Sequence, residues 1–199
     1  MIRERDMKVL GITGGVGSGK SEILKFLQEE YQAVICQLDE VARHLQQRGQ
    51  ECWRQIVETF GREMIGTDGE LDREKLGAVV FADPEMLQKL NGIVHPEVKS
   101  WVRQDIRKKE QDGVTLYVIE AALLPTAGYE EIWDEMWYIY TEEAVRRRRL
   151  TVSRGYSEEK ITQMIQSQPS EEDFRKACTV VIDNSGSFEN TKEQIGELL

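Results

Sequence analysis

Apolar residues fall into two rhythms along this chain. In some stretches they run almost without interruption: residues 7–13, Ala33-Val34-Ile35-Cys36, Val114-Thr115-Leu116-Tyr117-Val118-Ile119-Glu120, Trp137-Tyr138-Ile139-Tyr140 and Thr179-Val180-Val181-Ile182-Asp183. Short runs of this kind, rich in β-branched and aromatic residues, predict strands of a covered parallel sheet. Elsewhere apolar positions recur every three or four residues, the stripe of an amphipathic helix. One such helix starts at Glu22-Ile23-Leu24 and ends near Glu30-Tyr31. Another spans 40–47, with Val41, Ala42 and Leu45 on one face. Trp53, Ile56, Val57 and Phe60 mark a third, and Leu71-Asp72 leads into a fourth through Val79-Val80-Phe81. Asp83-Pro84 opens a long helix, in which Pro96 is expected to produce a bend or break near Val94-His95. Thr141-Glu142-Glu143 caps a helix that contains Arg146 to Arg149, and Ser157-Glu158-Glu159-Lys160 reads as a capping-box start. Asn184-Ser185-Gly186 is a turn before a terminal helix.

Strands alternating with helices predict an α/β fold with a parallel sheet. The stretch 49–112 lacks strands, and reads as a helical region packed beside a core made of 7–48 and 113–199. The whole of 1–199 is expected to be a single domain, since this length supports one sizeable core. The 31% charged and 40% hydrophobic residues are ordinary for a soluble globular protein. The net charge of −10 disfavours nucleic acid as a partner, because phosphate backbones are bound by cationic surfaces. The opening Met1-Ile2-Arg3-Glu4-Arg5-Asp6 has no apolar signal core, and no apolar run approaches a membrane span. Cys36, Cys52 and Cys178 are few and widely spaced, which suggests neither a disulfide framework nor a zinc site. A reducing, cytoplasmic setting is expected.

One segment carries explicit chemistry. Gly14 to Ser21 (Gly14-Gly15-Val16-Gly17-Ser18-Gly19-Lys20-Ser21) reads G-x-x-x-x-G-K-S, directly after the first apolar run and at the start of the first helix. Glycines let successive backbone N–H groups curl around a phosphate, and the helix points its positive end at the same anion. Gly15, Val16, Gly17, Ser18, Gly19, Lys20, Ser21 and Glu22 are therefore the expected nucleotide-binding residues. Lys20 supplies a cation for the β- and γ-phosphates, and Ser21 offers a hydroxyl to Mg²⁺. A nucleoside triphosphate with Mg²⁺ is the expected ligand of this loop. Asp39 and Glu120 stand just past the second and third apolar runs, where open α/β sheets place ligands.

With these residues in place, the chain resembles the dephospho-CoA kinase family, P-loop kinases that phosphorylate the ribose 3′-hydroxyl of dephospho-CoA. The likeness runs nearly end to end. It rests on Gly11 to Ser21, Leu38-Asp39-Glu40-Val41-Ala42-Arg43, Asp68-Gly69-Glu70-Leu71-Asp72-Arg73, Val79-Val80-Phe81-Ala82-Asp83-Pro84, Val94-His95-Pro96 and Val181-Ile182-Asp183-Asn184-Ser185-Gly186. There are departures. The family's usual Asp-x-Asp after the second strand is Gln37-Leu38-Asp39, and its Asp-x-Pro-Leu-Leu is Glu120-Ala121-Ala122-Leu123-Leu124. The position after Ser21, often Thr, is Glu22.

The resemblance implies a three-layer P-loop fold with a helical substrate-binding region and a lid around 146–176. It implies ATP with Mg²⁺ on the donor side and dephospho-CoA as acceptor. Asp39, Arg43, His95 and Glu120 are the implied acceptor-side residues, with Ser21 and Glu120 toward the metal. Asp39 either orients or deprotonates the ribose hydroxyl, or is the N-cap of helix 40–47, or both. Gln37 is no base at neutral pH, which leaves Asp39 and Glu120 as the candidate acids. Likeness to kinase lids favours Arg149 and Arg154 as catalytic phosphate ligands beside Lys20. Arg146 and its other neighbours are expected to be solvated or paired with Glu142 and Glu143. Trp53, Trp101, Trp133 and Trp137 read as core residues. A monomer without membrane or nucleic-acid partners is expected. Two other readings stay open: a kinase of the same architecture acting on a nucleoside monophosphate or sugar, and a nucleotide-switch module without turnover.

Overall fold

Each continuous apolar run becomes a strand in the computed structural model, which describes residues 7–121 and 131–199. The strands are β1 (Lys8–Thr13), β2 (Val34–Gln37), β3 (Leu116–Glu120), β4 (Glu135–Tyr140) and β5 (Val180–Asp183). They form one sheet in the order β2-β3-β1-β4-β5. β1 lies at its centre and pairs in parallel with β3 and β4, and β4 pairs in parallel with β5. Parallel pairing requires a crossover between strands, and helices supply it. These are α1 (Lys20–Glu30), α2 (Leu38–Leu45), α3 (Glu51–Phe60), α4 (Arg73–Ala82), α5 (Pro84–Gln111), α6 (Glu143–Arg154), α7 (Glu158–Gln166), α8 (Glu171–Ala177) and α9 (Phe188–Gly196), with a 3-10 turn at Arg62–Met64.

The chain divides into two compact units, Met1–Cys36 with Lys109–Leu199, and Gln37–Lys108. The first holds the core. Leu10, Ile12, Leu116, Val118, Trp137, Ile139 and Ile182 from the strands pack with Ile23, Leu24 and Leu27 of α1 and Ile195 of α9. On α8, Phe174 stacks flat on Tyr138 of β4, with ring centroids 4.9 Å apart. In the second unit the helices bury apolar stripes: Cys52, Ile56 and Phe60 on α3, Leu76 and Val80 on α4, and Val94, Val98 and Val102 on α5. Burial pushes the Cys52 thiol up to about 11, helped by Glu97 and Glu51, and burial alone pushes Cys178 up to about 12. Both are protonated at neutral pH. No helix among the described residues is long and apolar enough to cross a membrane.

Four local expectations are corrected. Pro96 does not break its helix: α5 runs without interruption over Pro84–Gln111. One missing backbone donor is a local defect, and Val94, Val98 and Val102, buried at four-residue spacing, hold the helix on either side of it. The second-unit helix begins at Leu38, so Gln37 is its N-cap and Asp39 stands inside the first turn. At Ser157 the hydroxyl accepts from Lys160 N–H at 3.3 Å, but a lysine there has no carboxylate to complete a box. The reciprocal capping box belongs to α8, between Ser170 and Asp173. Of the four tryptophans only Trp137 is fully buried; Trp53, Trp101 and Trp133 are half-buried.

Candidate functional site

The phosphate-binding loop leaves the carboxyl end of β1 and ends where Lys20 opens α1. Ser18 N–H turns back to Gly15 O at 3.1 Å, and Lys20 Nζ donates to Gly14 O at 2.6 Å. Gly19 is the helix N-cap, at φ 88°, and its carbonyl accepts from Glu22 and Ile23 N–H. That left-handed conformation disfavours any side chain, and the Asn184 amide nitrogen already occupies the space a Cβ would need.

Ser18 is the best-anchored part of the loop. Its carbonyl accepts from Asn184 Nδ2 at 2.8 Å, Thr141 Oγ1 at 3.0 Å and Arg149 Nη1 at 3.3 Å. Arg149 Nη2 also donates to Asn184 O at 2.9 Å, and the Asn184 amide is fixed by Thr191 Oγ1 donating to Asn184 Oδ1 at 2.9 Å. Ser18, Thr141, Asn184 and Thr191 are all buried. The C=O and N–H of a trans peptide point in opposite directions. Pulling the Ser18 carbonyl into the protein therefore turns the Gly19 N–H the other way, toward the side from which an anion approaches. The cradle is aimed from behind.

The outer arm of the loop is held by different elements. Val16 N–H donates to Gln168 Oε1 at 2.9 Å, and the Arg146 guanidinium lies tight against Gly15, where a Cβ would overlap it. Arg146 Nε is buried and makes no hydrogen bond. Of the arginine run, Arg147 is the one paired with acids, Glu143 at 2.8 Å and Glu158 at 3.1 Å. Arg148 is exposed, and so is Arg154, the last residue of α6. The expectation that Arg146 is solvated or acid-paired is thus corrected. A helix repeats its face after three or four residues, so Arg146, Arg149 and the buried Leu150 share one side, which meets the loop.

Glu120 ends β3 in register with Ile12 of β1, and Ala121 N–H donates to Ile12 O at 3.0 Å. Glu120 therefore ends its strand level with Ile12, two residues before the loop begins at Gly14. Ala122, Leu123 and Leu124 of the same segment lie outside the described residues. Ser21 and Glu22 are exposed in the first turn of α1. Asp39, Arg43 and His95 belong to the other unit. Asp39 and Arg43 are exposed one turn apart on α2, and His95 is exposed on α5. Sequence reasoning missed Gln168 and Thr191, read Thr141 as part of a helix cap although Glu142 is the N-cap of α6, and took Asn184 as part of a family segment and a turn without its role behind the loop.

A glycine loop aimed by buried donors, at the joint of the central strand and first helix of a parallel sheet, with arginines of a later helix on it, defines a P-loop kinase. The particular family follows from comparison with known proteins. The chain belongs to the dephospho-CoA kinase family, whose model (CoaE) matches residues 8–190. It is 37% identical over 193 residues to the dephospho-CoA kinase of Carboxydothermus hydrogenoformans, covering 97% of this chain and 93% of that protein. It is similar to the crystal structure of TT1252 from Thermus thermophilus, with TM-score 0.80, 29% identity and 96% of each chain covered. The dephospho-CoA kinase from Campylobacter jejuni shares the fold, with TM-score 0.70 at 20% identity and 96% of each chain covered.

Proposed function

We propose that this chain transfers the γ-phosphoryl group of ATP to the ribose 3′-hydroxyl of dephospho-CoA, giving coenzyme A and ADP, the last step of CoA biosynthesis. The observation that carries the reading is the anchored phosphate loop in a chain matched by the family model from residue 8 to 190. Gly19 N–H and the loop amides beside it cradle the β- and γ-phosphates, while Val16, Ser18 and Glu22 N–H are held by Gln168 Oε1, Gly15 O and Gly19 O; Lys20 exchanges Gly14 O for phosphate oxygens. Phosphoryl transfer has a loose transition state, so positioning and charge neutralisation supply most of the rate. Arg149 and Arg154 are the proposed cations from the lid side, Arg149 acting partly through its hold on Ser18.

The Ser21 hydroxyl and the Glu120 carboxylate are hard oxygen donors of the kind Mg²⁺ takes together with phosphate oxygens and water. Bound there, the ion would neutralise charge on the β- and γ-oxygens. Asp39 is the proposed group that orients the acceptor hydroxyl or takes up its proton. Arg43 and His95, on the same unit, are proposed to recognise the acceptor. With Gln37 in place of a carboxylate, the start of α2 has one acid fewer than is usual in the family.

The test is ADP release against a panel of acceptors. Dephospho-CoA alone should drive turnover, and Lys20→Ala should lower it by orders of magnitude while leaving the fold intact. Turnover with a nucleoside monophosphate or sugar instead would assign a different acceptor. Slow hydrolysis with no acceptor dependence would mean a nucleotide switch.

A further inference from the structure

The phosphate loop is held at two points, an inner one at Ser18 and an outer one at Val16. At Ser18 it hangs from residues that follow β4 and β5, Thr141 and Asn184. Its outer arm is Val16 flanked by Gly15 and Gly17, a stretch with little conformational preference of its own. What holds that arm is Gln168, in the short connection from α7 to α8.

That connection is itself pinned at both ends. Ser167 N–H donates to Gln163 O at 3.0 Å and Gln168 N–H to Ile165 O at 3.2 Å, extending the last turn of α7. Ser170 then begins α8 with a complete capping box, its N–H and hydroxyl donating to Asp173 Oδ2 at 3.0 and 2.6 Å. A side chain presented by two capped helix ends is preorganised, which is what a positioning group requires. Gln168 Oε1 also stands 3.3 Å from where a Gly15 Cβ would be, beside the Arg146 guanidinium. The residue type matters. An amide oxygen satisfies Val16 N–H without placing a negative charge next to the seat of a triphosphate, whereas a carboxylate would satisfy it and repel the ligand.

We propose that Gln168 is a positioning residue for phosphoryl transfer: its amide oxygen fixes the Gly15–Val16 arm of the phosphate loop to the α7–α8 connection. The loop is then in catalytic shape only while α7 and α8 keep Gln168 over Val16. The inference rests on the loop being the ATP site, as proposed above, but hydrogen exchange in the free protein tests it without that assumption.

Two variants separate the possibilities. Gln168→Leu keeps the size and removes the acceptor; Gln168→Glu keeps the acceptor and adds a charge. In Gln168→Leu the Val16 amide should exchange about tenfold faster, and kcat should fall by about tenfold or more with little change in thermal midpoint. In Gln168→Glu the Val16 amide should stay protected and kcat should stay near wild type. Its KM for ATP should rise, because the added carboxylate stands beside the seat of the triphosphate. Wild-type Val16 exchange and wild-type kinetics in Gln168→Leu would overturn the proposal. So would equal losses in both variants that track a drop in thermal midpoint, since that pattern means packing alone. Altered Val16 exchange in a protein that fails to turn over ATP would uphold the anchor and sink the assignment of the loop.

Discussion

Single residues behind the loop decide where its N–H groups point. Asn184 is the clearest case, because one amide both pulls on the Ser18 carbonyl and excludes a side chain at Gly19. Asn184→Leu removes one of the donors on that carbonyl and should weaken ATP binding by about tenfold, a hydrogen bond's worth in a buried network. Thr191→Val only frees the amide to rotate and should cost a few-fold at most. Gly19→Ala adds the left-handed penalty of about 1–2 kcal/mol to the overlap with Asn184 and should abolish nucleotide binding. Calorimetric ATP titration of the three variants is the measurement. Wild-type affinity in Asn184→Leu would mean that the Ser18 anchor does not aim the cradle. The glycines, Lys20 and Ser21 were legible in the sequence because the motif is contiguous. The supports were not: Asn184 meets Ser18 across 166 positions and Gln168 meets Val16 across 152. Only the sheet order and the α7–α8 connection bring them together.

At the scale of elements, the strands and helices were legible wherever one rhythm held, and the failures have local causes. Pro96 obeys a rule about hydrogen bonds that the buried stripe of α5 outweighs. The arginine run on α6 defeats pattern reading for another reason, since four consecutive residues cover every face of a helix. The phase was nevertheless present in the sequence: Leu150 is the buried residue of that helix, and Arg146 stands one turn before it. The face carrying Arg146, Arg149 and Leu150 meets the loop, while Arg147 is tied to Glu143 and Glu158 and Arg148 is exposed. Arg146→Ala and Arg149→Ala should each lower kcat by at least about tenfold, as removal of a charge-stabilising group does. Arg148→Ala should stay within about twofold, because an exposed charge contributes little. Steady-state kinetics on the three variants checks this, and equal losses at all three would point to a general electrostatic patch. Arg154→Ala should also lower kcat, since Arg154 is the second proposed lid cation, and wild-type turnover in that variant would remove it from the site.

For the whole molecule the question is which acid handles the acceptor hydroxyl, and the two candidates stand on different units. Glu120 ends a strand of the sheet unit in register with the foot of the phosphate loop. Asp39 stands in the first turn of α2 in the helical unit. Gln37 is the N-cap of that helix, a position that Asp suits well, so its replacement by Asp is compatible with the fold. If Asp39 acts on the hydroxyl, Asp39→Asn should lower kcat by orders of magnitude with little change in KM for ATP. Loss of an interaction made only in the transition state reduces rate without weakening nucleotide binding. Glu120→Gln should instead shift the Mg²⁺ dependence, since it alters a donor to the ion. Gln37→Asp, which restores a second carboxylate beside Asp39, should be tolerated and should not lower turnover. Rates measured against ATP, dephospho-CoA and Mg²⁺ for the three variants distinguish these outcomes. An Asp39→Asn enzyme that keeps its turnover would transfer the role to Glu120 if Glu120→Gln is inactive at every Mg²⁺ concentration. If both remain active, the loose transition state needs no protein base, and positioning by the anchored loop carries the reaction.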